Sequence, residues 1–193
     1  MYAHLPAPRN LYAPLVAGLD EAIGTIMDRV RQADIEKDTL VFFASDNGAS
    51  VEARNNYGGG SNAPYRGYKF SLYEGGIHLP AIVSRPGTLP ANETRDQLAM
   101  GIDIFSTIAD AMGADLPKDR TIDGRSWLPL LKDRKAPGHE TLFWQQGSQK
   151  AVRQGKWKLV LNGEDAQPAT SPVREPGPCA PGARRKAAAA RAG

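Results

Sequence analysis

The chain has 193 residues, of which 41% are hydrophobic and 23% are charged, a composition typical of an ordinary folded protein of about one domain. Its formal net charge of +3 leaves no basic field large enough for nucleic-acid binding, and no apolar run approaches the roughly 20 residues that span a membrane. The single cysteine, Cys179, excludes an internal disulfide and a multi-cysteine zinc site.

The first part of the chain predicts a helix followed by a strand. Apolar residues recur three and four positions apart over residues 11–31, which indicates an amphipathic helix. Its regular part should begin near Ala13, because Pro14 is tolerated only in the first turn. The uninterrupted apolar run at residues 40–44 is typical of a strand buried on both faces, in a parallel or mixed sheet covered by helices. This order of elements indicates an α/β architecture.

The following residues predict a second strand and helix, and then a small sheet. Residues 81–83 form a second buried strand, and residues 96–112 carry the apolar face of a helix that ends at Gly113. A short apolar anchor follows at residues 127–131. Three further segments predict the strands of an antiparallel hairpin or meander, at residues 142–144, 151–153 and 156–161. Gln154 and Gly155 provide the tight turn between the last two.

We therefore predict three regions along the chain. Residues 1–135 belong to the α/β domain, residues 136–163 begin a small antiparallel subdomain, and residues 164–193 form a disordered tail. Ala, Pro, Gly and Arg dominate this last region, which has almost no large apolar side chain to bury.

Asp46 and Asn47 follow directly after the strand predicted at residues 40–44. In open α/β sheets, ligands collect at the carboxyl ends of the strands. A carboxylate and an amide oxygen that converge at such a point suit a hard cation, either Ca²⁺ or Mg²⁺. The alternative is that Asp-Asn-Gly simply forms a turn.

Lys69 follows a long loop rich in glycine and asparagine, at residues 49–68. Long irregular loops in compact domains are often functional. A lysine fixed near a metal would bind an anionic oxygen of the substrate and stabilise the charge that develops there. The alternative is an ordinary surface lysine.

Several motifs occur in order along the chain. They are L-D-x-x-I-G at 19–24, S-D-N-G at 45–48, R-G-x-K-x-x-x-Y-E-G-G-I-x-x-P at 66–80, D-I-F-S-T at 103–107, D-G-x-S-x-x-P-L-L at 123–131 and V-R-x-G-x-W-K-L at 152–159. Together they resemble the C-terminal half of type I sulfatases, the formylglycine-dependent enzymes of the alkaline phosphatase superfamily. Ser106 stands where that family usually has proline.

The resemblance implies an alkaline-phosphatase-like sandwich with a central mixed sheet, only partly present in this chain, and the start of a small C-terminal antiparallel sheet. It implies a sulfuric ester hydrolase that uses Ca²⁺. Asp46 and Asn47 match the second pair of calcium ligands, and Lys69 matches the lysine that holds the sulfate group. His4 matches a histidine that contacts the sulfate, although an exposed loop residue is the alternative. His78 stands where the family commonly has arginine, and we interpret it as a structural variation.

The same resemblance implies that part of the catalytic apparatus lies outside this chain. The family's nucleophile is a formylglycine made from the cysteine of a C-x-P-x-R motif near the start of the full protein. The first pair of acidic metal ligands lies in that same N-terminal half. The segment from Cys179 to Arg184 has one residue too many before its arginine and lies in a low-complexity region, so we interpret it as a coincidence. We expect the chain to be a C-terminal portion that is inactive alone.

Two alternatives remain open at this point. One is a phosphate or phosphonate ester hydrolase of the same superfamily, and the other is a non-catalytic truncated remnant. For the sulfatase interpretation, the expected substrate is a sulfated small molecule or glycan. Bacterial members of the family are often exported, so the resemblance is consistent with a periplasmic or secreted full-length protein, while the sequence itself leaves the location unknown.

Overall fold

The computed structural model describes residues 2–51 and 58–164. The helices are α1 (Arg9–Gln32), α2 (Glu74–Ile77), α3 (Asp103–Met112) and α4 (Leu128–Lys132), with a short 3₁₀ turn at Glu36–Asp38. The strands are β1 (Val41–Ala44), β2 (Ala81–Ser84), β3 (Thr141–Gln146), β4 (Gln149–Gln154) and β5 (Trp157–Leu161). The predicted tail after Glu164, including Cys179, lies outside the described residues, and the three predicted regions remain predictions.

Helix α1 confirms the predicted amphipathic helix but begins earlier than predicted. It starts at Arg9, so Pro14 lies inside the helix rather than in its first turn. The amide of Leu11 already donates to the carbonyl of Pro8, and the missing amide of Pro14 removes only one hydrogen bond from a helix established before it. The apolar side faces solvent, and Leu15 is 73% exposed.

Strands β1 and β2 pair with each other in an antiparallel arrangement, from Val41 opposite Ser84 to Ala44 opposite Ala81. The prediction that both strands are buried was wrong for the described part of the chain, since Ile82 is 62% exposed. Within the described ranges, no other strand extends this sheet. The apolar run correctly indicates a strand, but the layers that would cover both of its faces are not formed by these residues.

Helix α3 begins at Asp103, later than the predicted start at residue 96, and ends at Gly113, which has the left-handed φ of 67°. Its buried residues are polar: Asp103, Ser106 and Thr107. The predicted apolar face is turned to solvent instead, and Met112 is 76% exposed. The orientation of α3 is therefore set by hydrogen bonds made by its polar side.

Asp103 is the centre of those hydrogen bonds and is 0% exposed. Its carboxylate accepts from the amides of Met100 (2.7 Å) and Arg125 (2.8 Å), accepts from the indole of Trp127 (2.9 Å), and contacts Nε2 of His139 at 2.7 Å. Burial by itself raises the pKa of Asp103, but these hydrogen bonds outweigh it and lower the pKa below its ordinary value. A single carboxylate thus joins α3 to two later segments of the chain.

The predicted apolar anchor at residues 127–131 is confirmed by helix α4. The side chains of Trp127 and Leu130 are buried, and the indole of Trp127 lies 5.6 Å from the ring of Phe42 in β1. The amide of Trp127 also donates to Thr107 Oγ1 at 2.9 Å. The anchor therefore connects α3 to the β1–β2 pair.

The predicted C-terminal sheet is also confirmed, as an antiparallel meander in the order β3-β4-β5. Trp144 lies opposite Ala151, which lies opposite Val160. Gly155 has a φ of +54° in the turn before β5, where glycine avoids strain. One face of this sheet, which includes Leu142 and Ala151, is buried.

We predict that Asp103→Asn lowers the free energy of unfolding by about 2–4 kcal/mol, because an amide cannot accept all four hydrogen bonds and leaves buried donors without a partner. Urea denaturation at pH 7 measures this change. Asp119→Asn is the matched control, since Asp119 is exposed beside Arg120. A loss at position 103 no larger than the loss at position 119 would contradict the central role of Asp103.

Candidate functional site

Asp46 and Asn47 lie immediately after β1, at the position predicted from the sequence. The amide of Ser45 donates to the carbonyl of Pro80 at 3.4 Å, and its hydroxyl donates to the carbonyl of Asn47 at 2.8 Å. The side chain of Ser45 thereby closes a turn around Asp46. Asp46 is exposed and Asn47 is half-buried, so both oxygens lie near the surface at the end of the strand.

Gly48 brings this turn against the start of α2. Its amide donates to the carbonyl of Gly76 at 2.9 Å, and a Cβ added to Gly48 would lie 1.8 Å from the carbonyl oxygen of Gly75. A Cβ on Gly75 would in turn lie 2.3 Å from the carbonyl oxygen of Gly67. Only glycine permits backbones to approach this closely. These contacts hold the Asp46–Asn47 turn beside the segment that carries Lys69.

Lys69 is joined to the same turn through Ala49. The amide of Lys69 donates to the carbonyl of Ala49 at 3.2 Å. Asn62 supports this contact, because its side chain accepts from the amide of Ala49 at 2.7 Å and donates to the carbonyls of Ala49 (3.1 Å) and Gly67 (3.2 Å). The structure thus joins the backbones that carry two predicted site elements, the Asp46–Asn47 pair and Lys69.

The side chain of Lys69 is half-buried, and its Nζ lies 5.4 Å from the centre of the Phe70 ring. At this distance the aromatic face attracts the ammonium group.

His4 is exposed and precedes α1. The neighbouring segment contacts the glycine-rich loop, since a Cβ added to Gly59 would lie 2.5 Å from Cβ of Tyr12 and 3.2 Å from the carbonyl oxygen of Pro8. The first turn of α1 is therefore placed against the loop that leads to Lys69. The predicted contact of His4 with sulfate remains a prediction.

His78 makes contacts that agree with its interpretation as a structural residue. Its Nδ1 lies 3.0 Å from a carboxylate oxygen of Glu74, and its ring lies 4.6 Å from the ring of Tyr65. His78 thus packs at the end of α2.

Glu74 links α2 to the C-terminal sheet. Its carboxylate accepts from Arg153 and from Lys158, each at 2.6 Å. Burial alone would raise the pKa of Glu74, but the hydrogen bond from Lys158 and the charges of Lys158, Arg153 and His78 together lower it below its ordinary value. The pKa of Lys158 is also lowered, because burial and the nearby charge of Arg153 together outweigh the raising effect of its contact with Glu74.

Two amide side chains that support the site were not predicted. Asn62 bonds to Ala49, 13 residues earlier, and Gln149 bonds to backbone atoms of the segment after Lys69, at separations of 77 and 79 residues. Neither residue occurs in a pattern that indicates a partner so far along the chain. Their roles follow only from the fold.

The donors present fit calcium in kind but not in number. Asp46 and Asn47 offer side-chain oxygens, the ligands that Ca²⁺ prefers, but Ca²⁺ takes six to eight of them. Over residues 2–51 and 58–164, no group of three or more His, Cys, Asp or Glu residues could hold a metal ion. In the same ranges no helix is long and apolar enough to cross a membrane. A calcium shell built on Asp46 and Asn47 would therefore need further ligands.

Comparison with known proteins identifies the family. The family model described as Sulfatase matches residues 5–114, more than half of the chain. This chain belongs to the sulfatase family. Human steryl-sulfatase is 39% identical over 138 residues, which cover 69% of this chain and 24% of that protein. The resemblance found in the sequence motifs is therefore confirmed.

Solved structures support the fold expected for a member of the sulfatase family. PsFucS1 sulfatase from Pseudoalteromonas sp. matches with a TM-score of 0.65 and 26% identity, over 73% of this sulfatase chain and 28% of that chain. Ps i-CgsB in complex with k-i-k-neocarrahexaose matches with a TM-score of 0.73 and 24% identity, over 82% and 36% of the two chains. The predicted alkaline-phosphatase-like α/β fold is confirmed, and the chain spans about a quarter of the length of human steryl-sulfatase.

We predict that Gly48→Ala lowers the free energy of unfolding by about 3 kcal/mol or more, because the added methyl group would meet the backbone of Gly75 rather than a mobile side chain. Gly18→Ala is the matched control. A Cβ at Gly18 meets nothing within 4 Å in α1, so this change should stabilise the chain by roughly 0.5–1 kcal/mol. Equal effects of the two substitutions in urea denaturation would contradict the close contact at Gly48.

We predict that Glu74→Gln destabilises the chain at pH 7, and that this difference shrinks in acid. The folded-state pKa of Glu74 lies below its ordinary value of 4.5, so its stabilising effect is present above about pH 4.5 and is lost as the pH falls through the folded-state pKa. Urea denaturation from pH 7 to pH 3 measures this. Glu140→Gln, at an exposed position, is the control. A difference between wild type and Glu74→Gln that stays constant over this range would contradict the prediction.

Proposed function

We propose that this chain supplies the part of a sulfuric ester hydrolase active site that binds calcium and holds the sulfate group of the substrate. The observation that carries the proposal is the backbone contact of Gly48 with Gly76 and of Lys69 with Ala49, in a chain of the sulfatase family. These contacts support a site in which two oxygen donors lie beside a lysine.

In this proposal, Asp46 and Asn47 are ligands of Ca²⁺, and Lys69 binds a sulfate oxygen. A calcium ion bound there would orient the sulfate group and polarise its sulfur–oxygen bonds. The ammonium of Lys69 offsets the negative charge of the sulfate oxygens as the ester bond breaks. His4 is proposed as a second contact to the sulfate.

The nucleophile and the remaining calcium ligands are proposed to belong to a segment outside this chain. The exposed apolar faces of α1 and α3 support this, because the chain spans only about a quarter of human steryl-sulfatase and the rest of the fold would cover them. The chain alone should therefore bind calcium weakly and lack hydrolytic activity. The absence of that part of the fold would also account for the exposure of strands β1 and β2.

The proposed substrate is a sulfate ester of a small molecule or glycan. One relative is named steryl-sulfatase, and one solved neighbour of the same fold was crystallised with k-i-k-neocarrahexaose, which supports both a small molecule and a glycan as candidate substrates. The membership in the sulfatase family favours a sulfate ester over a phosphate ester.

The proposal is tested by titrating the ¹⁵N-labelled chain with CaCl₂ and following its amide resonances. We expect shifts at residues 46–49 with a dissociation constant weaker than about 1 mM, because extracellular modules with fuller shells bind at about 10⁻⁴–10⁻³ M. Asp46→Ala and Asn47→Ala should remove these shifts. Asp115→Ala, at an exposed position after α3, should leave them unchanged.

Two results would overturn the proposal. One is calcium binding that does not depend on Asp46 or Asn47. The other is hydrolysis of p-nitrophenyl sulfate by the purified chain at a rate that Lys69→Ala does not change.

A further inference from the structure

The C-terminal sheet has a second face that carries exposed apolar side chains. Side chains alternate along each strand, so the register of β3, β4 and β5 places Phe143, Val152 and Leu159 side by side, opposite to Ala151. Trp157, two residues before Leu159 on β5, lies on the same face. Phe143 is 70% exposed and Trp157 is 74% exposed. We call this the outer face of the sheet.

A groove of about 460 Å³ lies over the outer face. Its apolar lining residues include Phe143, Val152, Leu159 and Leu161. Trp157 extends this apolar surface toward the β4–β5 turn, and its indole stays exposed although Nζ of Lys156 lies 5.3 Å from the ring centre. Contiguous apolar surface that faces solvent marks a place where another group binds.

The opposite, inner face of the sheet is the one that contacts the α/β part of the chain. Arg153 and Lys158, which point to the inner face, bond to Glu74 at the start of α2. Gln149, on the same face, bonds to the carbonyl of Phe70. A segment that completes the site beside Lys69 would therefore approach the inner side of the sheet, and the outer face needs a different partner.

The chain itself contains a segment whose chemistry fits the groove. Residues 168–181 hold five of the 15 prolines of the sequence. Proline-rich segments favour the polyproline II helix, whose repeat of three residues places Pro178 and Pro181 on one side. Such segments bind in grooves lined by aromatic side chains. The sequence predicts that residues 164–193 build no core of their own, and segments of that kind commonly become ordered when they bind.

The proline-rich segment is also close enough to reach the groove. Glu164 follows the end of β5 by three residues, and the four residues from Leu161 back to Trp157 span about 13 Å. Eight residues of polyproline II span about 25 Å, so the chain from Pro172 onward reaches Trp157 after passing around the edge of the sheet. Tethering gives the segment an effective concentration on the order of millimolar, so a weak affinity is sufficient.

We propose that the outer face of the C-terminal sheet binds residues 168–181 of its own chain as a polyproline II helix, with Trp157 as the principal contact. The sheet thereby gains the cover that its outer face lacks. This inference does not rest on the proposed roles of Asp46, Asn47 and Lys69, and it stands or falls separately from them.

The test places a nitroxide spin label on Cys179, the single cysteine of the ¹⁵N-labelled chain. The label should broaden the amide resonances of Val152 and Leu159 and the indole resonance of Trp157, compared with the chemically reduced label. Trp157→Ala should lower the docking equilibrium constant by about tenfold or more, as expected for a principal aromatic contact. Met112→Ala is the matched control, because Met112 is equally exposed but lies on α3.

A second pair of variants separates polyproline binding from attraction between charges. The triple variant Pro176→Ala/Pro178→Ala/Pro181→Ala should dock about tenfold more weakly, because the segment loses its preorganised conformation. Arg184→Ala/Arg185→Ala should dock as well as wild type. A label at Ser171→Cys, in a chain with Cys179→Ser, should broaden the same resonances and so show that the result does not depend on one label position.

Three results would overturn the inference. The first is an absence of selective broadening at the outer face, and the second is broadening that Trp157→Ala leaves unchanged. Phe143→Ala, on another strand, replaces Trp157→Ala if that variant fails to fold. The third is broadening of ¹⁵N-labelled Cys179→Ser chain by added spin-labelled chain without ¹⁵N, since this would show that the groove binds a second copy.

Discussion

The close contact between Gly48 and the Gly75–Gly76 pair is the constraint on which the candidate site depends. It allows the end of β1 and the start of α2 to approach at backbone distance, which any Cβ at these positions would prevent. One hydrogen bond, from Gly48 to Gly76, crosses this contact. The turn carrying Asp46 and Asn47 and the segment carrying Lys69 are therefore joined by backbone contacts, rather than being two loops that meet by chance.

The C-terminal sheet is attached to this arrangement by two different kinds of contact. Glu74 makes ionic hydrogen bonds with Arg153 and Lys158, and these weaken when the carboxylate is protonated. Gln149 makes neutral hydrogen bonds with the backbone around Phe70, and these do not change with pH in the same way. Together they fix the sheet against α2 from one side and against the Lys69 turn from the other.

Much of this structure was predictable from the sequence where the deciding interactions are local. The strands β3 to β5 and the helix end at Gly113 follow from short-range patterns, and the motifs around Asp46 and Lys69 indicated the family. The burial of β1 and the exposed face of α3 were predicted wrongly, because periodicity shows which side avoids water in a complete fold and not what covers it. Asp103, Asn62 and Gln149 could not be found, since their partners lie far along the chain.

These contacts have a consequence for the proposed site. The relation between Asp46, Asn47 and Lys69 depends on backbone contacts that all lie within this chain, at Gly48, Ala49 and Gly76. A nucleophile supplied by another segment would meet metal ligands and a sulfate-binding lysine that are already arranged relative to each other. Because preorganised charge lowers the cost of reaction most when it does not rearrange, backbone contacts that fix Asp46 and Asn47 relative to Lys69 would favour the proposed reaction.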